Sequence, residues 1–193
     1  MKRYEYGRIE RLNRGLEAAG IDPAIIAQIM AGGEEIRAST TPQKKAAWLG
    51  EAMHRMDDLL DLDTRRAVRE SCACCLGGKR LKITRGIAKQ YATLEERIAA
   101  ANEAKYVFGH SVTVKADGSL MVRFFPDGQE SYRCVCLRQA QEPISVTYCY
   151  CCGGHAKHHL QTALGRALNC ETVSSALSSG GTQGCVFRLP YVD

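Results

Sequence analysis

The stretch that decides the fold is residues 111–124, SVTVKADGSLMVRF. Apolar side chains alternate with polar ones on both sides of the Asp117-Gly118 pair, which is typical of a tight hairpin turn. Alternation with a period of two turns one face of each strand toward a core. The stretch therefore predicts an antiparallel hairpin in the second half of the chain.

The chain before Gly109 has helical spacing instead. Apolar residues recur there every three or four positions, which predicts a series of amphipathic helices. Helix starts are predicted at Asp22-Pro23 and Thr41-Pro42, since each pair supplies a capping side chain and a proline suited to the first helical turn. Thr93 and Glu96 have the spacing of a capping box and predict another start.

Beyond the hairpin, alternation predicts a third strand with Tyr132, Cys134 and Cys136 on one face and a last strand over residues 185–189. A helix from about 153 to 168 is expected between them.

The predicted fold class is therefore α+β. An N-terminal helical half, residues 1–108, packs against a C-terminal antiparallel sheet with one inserted helix, residues 109–193. The two halves are expected to form one compact domain.

Composition narrows the class of function. The formal net charge is +5, and acidic residues are interspersed among the basic ones. The sequence has no basic arm, so we do not expect nucleic-acid binding. We expect neither a signal peptide nor a membrane span, and we therefore expect a cytoplasmic protein. Ten cysteines in a reducing compartment favour metal binding or thiol chemistry over disulfides.

Two cysteine segments repeat one pattern. Residues 72–78 read CACCLGG and residues 149–154 read CYCCGG, each a Cys-x-Cys-Cys run followed by a Gly-Gly pair. We expect the two segments to lie side by side and to form one site. Cys134, Cys136 and Cys185 are interpreted as core residues, because free cysteine is often buried.

A metal is the first interpretation of that site. Zinc is bound tetrahedrally by cysteine and histidine, often from pairs spaced Cys-x2-Cys. The candidate ligands with suitable spacing are Cys72, Cys75, Cys149, Cys152 and His155. An iron–sulfur cluster is less expected, since no standard ferredoxin run is present.

Thiol chemistry is the second interpretation. A cysteine in the first turn of a helix has its thiolate stabilised there, and a nearby histidine acts as acid or base. Cys151, Cys152 and His155 are the candidate catalytic residues. For a small-molecule ligand, which would be anionic if it meets Lys79 and Arg80, Gly153 and Gly154 would let the backbone approach closely.

The C-terminal third also resembles two known families. The matching residues are Cys151, Gly153, Gly154, Gly165, Gly180, Gly181, Cys185, Phe187 and Leu189. This pattern resembles the 4-vinyl reductase type of small-molecule-binding domain and the L-2-amino-thiazoline-4-carboxylic acid hydrolase family. The resemblance implies an α+β domain with a ligand pocket, and in some such domains a structural zinc held by cysteines. The repeated cysteine pattern departs from both families and is similar to that of a cysteine-rich offshoot.

Two functions follow as expectations, and the sequence leaves open whether the protein is an enzyme. One is a cytosolic cysteine-rich protein that binds a metal or small ligand where the two segments meet. The other is a hydrolase of a small amide, cyclic amidine or thiazoline with a Cys/His or metal centre.

Overall fold

Residues 4–129 and 131–192 are described by the structure, a computed structural model. Its helices fill the first half and its first strand begins at Ser111, which confirms the predicted α+β fold. The α-helices are α1 (Gly7–Ala18), α2 (Pro23–Ile29), α3 (Pro42–Leu59), α4 (Leu62–Ser71), α5 (Gly78–Gln90), α6 (Leu94–Glu103), α7 (Lys105–Phe108) and α8 (Tyr150–Leu164). Short 3₁₀ helices span Gly33–Glu35 and Val146–Cys149. None of the described helices combines the length and apolar character needed to cross a bilayer.

The predicted helix starts are confirmed by their capping hydrogen bonds. The Asp22 carboxylate accepts a bond from the backbone N–H of Ala24 at 2.7 Å. The Thr93 hydroxyl accepts from the N–H of Glu96 at 3.2 Å, while the Glu96 carboxylate accepts from the N–H of Thr93 at 3.0 Å. These three bonds pair N–H groups at the helix starts, where the helix itself provides no acceptor.

The sheet is antiparallel, with the strand order β1-β2-β4-β3. The strands are β1 (Ser111–Val114), β2 (Leu120–Arg123), β3 (Glu171–Ser174) and β4 (Val186–Leu189). Val122 pairs with Val112 on one side and with Phe187 on the other, so one face is apolar across the sheet. Helix α8 precedes β3 and packs on that sheet.

The predicted strand through Tyr132, Cys134 and Cys136 is wrong. Both sides of β2 are already paired, with β1 and β4, so a strand that follows β2 in the chain has no free edge of β2 to join. The segment instead runs irregularly over the surface of the helical half. It contacts the rest of the C-terminal half through a backbone bond, in which the N–H of Tyr132 donates to the carbonyl of Gly181 at 3.0 Å, and through the sulfur of Cys136, which lies beside that of Cys152 in α8.

Buried side chains form two cores. The first joins α1 to α4 with the segment that leads into α8, and the second joins α5 to α8 with the sheet. Helices α5 to α7 thus share a core with the sheet, although they precede the change of periodicity at Gly109. Adjacent residues of α8 face different cores, since Cys151 packs against the first and Cys152 against the second.

Candidate functional site

The two cysteine segments lie side by side, as predicted. The first follows the end of α4 and the second opens α8, and these two helices pack together. A Cβ atom on Gly154 would lie 2.6 Å from the carbonyl oxygen of Glu70, so only glycine permits this approach. The His155 ring then reaches the first segment, with Nδ1 at 3.1 Å from the Cys74 carbonyl oxygen.

A third element, the irregular segment after β2, also contributes a thiol. The Sγ atom of Cys136 lies 3.7 Å from the Sγ atom of Cys152, within hydrogen-bonding range for sulfur. Arg8 fixes the segment, because its Nη1 donates to the Cys136 carbonyl at 2.5 Å and to the Tyr148 hydroxyl at 3.0 Å. The core interpretation holds for the buried Cys134, but Cys136 is half-buried and belongs to the site.

These thiols surround a narrow cleft. Its lining residues are Arg8, Arg11, Leu49, Arg69, Cys72, Cys74, Cys136, Tyr148 and Cys151. The cleft has a volume of about 30 Å³, which is close to the space that one water molecule occupies in the liquid. It therefore has room for a water or a single ion beside the thiols.

Three arginines line the cleft and make it electropositive. Arg69 is only 4% exposed, and its Nη2 donates to the backbone carbonyl of Tyr148 at 3.1 Å. Its guanidinium also lies over the Tyr148 ring, 5.0 Å from the ring centroid. Arg8 and Arg11 also line the cleft. Positive charge beside a thiol favours its thiolate form.

Hydrogen bonds among the thiols shift their pKa values in opposite directions. Hydrogen bonds from the Cys134 and Cys152 thiols lower the pKa of Cys136, and the Arg8 guanidinium adds to this effect while burial opposes it. The hydrogen bonds to Cys136 and Cys151 raise the pKa of Cys152 well above its usual range. The single S–H of Cys152 lowers the pKa of Cys151 when it donates to Cys151 instead. The arrangement thus favours a thiolate at Cys136 beside a protonated Cys152.

The histidines hold the first segment in place. His155 Nε2 lies 3.0 Å from the Val107 carbonyl oxygen, so both of its ring nitrogens face backbone carbonyls. His159 Nε2 lies 3.1 Å from the Cys75 carbonyl oxygen, and burial lowers the pKa of His159 to about 4. Both rings thus link α8 to the segment after α4, and His155 also links α8 to α7.

The other predicted ligand-binding residues lie away from the cleft. Lys79 is exposed at the start of α5, and the Arg80 guanidinium stacks over the Tyr106 ring at 4.0 Å. Gly153 serves packing, because a Cβ atom there would lie 2.9 Å from the Cys170 sulfur.

The five predicted zinc ligands are not gathered around one point. Cys72 lines the cleft, Cys75 is exposed beside Cys74, and the Cys149 sulfur lies 2.9 Å from the Ser175 hydroxyl. Within residues 4–129 and 131–192, no group of three or more His, Cys, Asp or Glu side chains is arranged to hold a metal ion. The zinc site stays a prediction.

The geometry around Cys151 and His155 does not single out the predicted hydrolase activity. An organic substrate at Cys151 would need more space than about 30 Å³, since ligand pockets usually measure several hundred Å³. Both ring nitrogens of His155 face backbone carbonyl oxygens, so neither is directed at a thiol. This activity likewise stays a prediction.

One comparison with known proteins gives a match. The model of a family described as a family of unknown function (DUF6144) matches residues 19–191. No curated protein and no solved structure matches the chain.

Proposed function

The chain belongs to that family, DUF6144, and we propose from its thiol site that it exchanges electrons with small-molecule disulfides through Cys136 and Cys152. The observation that carries the proposal is the distance of 3.7 Å between the two sulfur atoms. A disulfide bond measures about 2.05 Å, so a movement of less than about 2 Å closes it. Cys136 lies on an irregular segment, where such a movement disturbs no helix or strand.

The position of the two sulfurs assigns their order of reaction. Cys136 lines an open pocket as well as the inner cleft, whereas Cys152 is packed against the second core. Cys136 is therefore the sulfur that a dissolved disulfide reaches first, and Cys152 is the sulfur that resolves the product.

The reaction is an ordinary thiol–disulfide exchange. The Cys136 sulfur attacks one sulfur of RS–SR, which forms a mixed disulfide and releases RS⁻. The Cys152 sulfur then attacks the Cys136 sulfur, which forms the Cys136–Cys152 disulfide and releases the second RS⁻. The protein loses two electrons and two protons, and RS–SR becomes two RSH. The reverse reaction oxidises two thiols.

This function belongs with a reducing compartment, and the proposal includes a cytoplasmic location. There the dithiol form is regenerated by the pool of small thiols.

The test uses a background in which the exposed Cys74 and Cys75 are both changed to serine. Their sulfurs lie 3.8 Å apart and would otherwise react alongside the proposed pair. Reduced protein is mixed with dithiodipropionate, and released thiol and protein mass are followed. We expect two thiols per protein and no lasting adduct in the background protein.

Two further variants assign the roles. Cys152→Ser should release one thiol and retain a mixed disulfide at Cys136, because the resolving sulfur is gone. Cys136→Ser should slow the reaction at least tenfold. A background protein and a Cys136→Ser variant that react alike would overturn the proposal, and Cys170→Ser serves as the control for loss of a buried thiol outside the proposed pair.

A second candidate is binding of a soft metal ion such as zinc or copper(I). Its support is that four thiols line one ion-sized cleft: Cys72, Cys74, Cys136 and Cys151. Because no described group of three such side chains is arranged to hold a metal ion, these side chains would have to move to bind one. Metal analysis of protein purified without oxygen or chelator tests it. Stoichiometric metal that is lost in Cys72→Ser supports this candidate, and less than stoichiometric metal in the wild type counts against it.

A further inference from the structure

An open pocket lies on the outer side of Cys136. Its lining residues are Tyr6, Arg8, Pro42, Lys45, Ala46, Leu49, Cys136, Leu137, Arg138 and Gln139. Its volume is about 370 Å³, within the range of pockets that hold small organic ligands. The narrow cleft and this pocket share Arg8, Leu49 and Cys136, so a ligand in the pocket lies against Cys136.

The charge of the pocket has one sign. Arg8, Lys45 and Arg138 contribute three cations to the lining, which contains no aspartate or glutamate. None of the three forms an ion pair with another residue of the described ranges 4–129 and 131–192. Like charges gathered without counter-charges favour an anionic occupant.

Two of the cations are held in place by backbone oxygens. Arg8 donates to the Cys136 carbonyl, and Lys45 Nζ donates to the Ala38 carbonyl at 2.7 Å. Lys45 Nζ also lies 4.9 Å from the centroid of the Tyr6 ring. Arg138 is exposed at the rim, where its planar guanidinium suits a carboxylate.

The rest of the lining is apolar. Pro42, Ala46, Leu49 and Leu137 provide carbon surface between the cations. A ligand with a short hydrocarbon chain and terminal carboxylates matches this distribution, with its middle near Cys136 and its charged ends toward Lys45 and Arg138.

We infer that this pocket selects the substrate of Cys136, and that the substrate is a low-molecular-weight disulfide bearing carboxylates. The inference rests on the proposed thiol–disulfide exchange, and it adds the class of substrate. Its chemical content is that negative charge on the disulfide accelerates the first attack at Cys136.

The first test compares three disulfides that differ in charge. They are dithiodipropionate, a dianion; hydroxyethyl disulfide, which is neutral; and cystamine, a dication. Each rate constant with the Cys74→Ser/Cys75→Ser protein is divided by the rate constant with free mercaptoethanol at the same pH and salt. We expect the normalised order dianion, neutral, dication, with a ratio of about ten between the first two at low salt.

Charge-neutralising variants locate the effect. Lys45→Gln and Arg138→Gln should each reduce severalfold the ratio of the normalised rate with the dianion to that with the neutral disulfide. Lys89→Gln removes an equal charge from the exposed end of α5 and should leave the preference intact. Equal normalised rates for the three disulfides, or an effect of Lys89→Gln as large as that of Lys45→Gln, would overturn the inference.

A second measurement separates the pocket from the redox reaction. Thiodipropionate has the same two carboxylates and no disulfide bond, so it binds without reacting. In Cys136→Ser it should bind by calorimetry and lose affinity in the Lys45→Gln and Arg138→Gln forms. Binding without any exchange in the parent protein would refute the proposed function and leave the anion pocket standing. If exchange occurs but shows no charge preference, and thiodipropionate does not bind, the anion pocket is refuted and the proposed exchange stands.

Discussion

The sulfur atoms of Cys136 and Cys152 lie 3.7 Å apart, although the first belongs to an irregular segment and the second to the opening turn of α8. Sixteen positions separate them in the chain. The contact depends on Arg8, whose guanidinium ties the irregular segment to α1 and to Tyr148. The proposed redox site is thus assembled from three elements.

The approach of α8 to α4 is predicted to be sensitive to Gly154. Gly154→Ala places a methyl group 2.6 Å from the Glu70 carbonyl oxygen and 2.9 Å from the Glu70 Cα, so one helix must move. We expect the free energy of unfolding to fall by about 1–3 kcal/mol in a urea titration, and thiol–disulfide exchange to slow with it.

Gly86→Ala is the matched control for that substitution. Gly86 lies inside α5, and a Cβ atom there meets nothing within 4 Å. Replacing an interior helical glycine with alanine should then stabilise the protein by about 0.5–1 kcal/mol. Equal effects of the two substitutions would show that α4 and α8 do not pack as described.

Arg8 is predicted to control the reactivity of Cys136. Hydrogen bonds from Cys134 and Cys152 contribute most to the lowered pKa of Cys136, and Arg8 adds to them. Arg8→Gln removes that positive charge, so the thiolate should form at higher pH and the midpoint of the pH dependence of Cys136 alkylation should rise. The measurement is the pH dependence of iodoacetamide labelling, followed by peptide mass. Arg14→Gln, an exposed change on the same helix, should leave the curve in place.

Oxidation is predicted to stabilise the fold. The disulfide would close a loop of about 16 residues, which raises the free energy of unfolding by about 3 kcal/mol if the closed bond is unstrained. Urea titrations of the oxidised and reduced protein measure the difference. Cys152→Ser treated with the same oxidant should show no gain, and an equal gain there would assign the stabilisation to another pair.

Stability is predicted to depend on pH through His159. Its pKa of about 4 in the folded protein lies below the ordinary value of about 6.5, so the unfolded chain binds more protons between these values. The contribution of His159 to stability is therefore complete above about pH 6.5 and is lost as the pH falls toward 4.

Urea titrations from pH 7 to pH 4 check this pH dependence. His159→Asn should flatten the pH dependence, whereas His54→Gln, a change on the exposed surface of α3, should leave it unchanged. An identical slope in the wild type and His159→Asn would contradict the assignment.

The sequence predicts the fold class because periodicity and caps are local signals. The alternation around Asp117-Gly118 and the capping box at Thr93 both correspond to observed elements. It also predicts that the two cysteine segments meet, since their repeated pattern suggests a common site.

The role of Cys136 could not be predicted in the same way. Its position is fixed by a hydrogen bond to Arg8, 128 positions away, and no local pattern encodes such a contact. The Cys134-x-Cys136 spacing was the one available signal, and alternation made it resemble a strand. Lys79 and Arg80 show the opposite error. They follow a cysteine segment directly in the sequence, but neither lines the cleft.

The central claim is tested most directly by mapping the disulfide that forms when the reduced Cys74→Ser/Cys75→Ser protein receives one equivalent of dithiodipropionate. Trypsin cleaves after Arg133, Arg138 and Lys157, which separates peptide 134–138 from peptide 139–157. The account predicts that these two peptides are joined, with fragmentation locating the bond between Cys136 and Cys152. A bond within peptide 134–138, or no intramolecular bond, would contradict it.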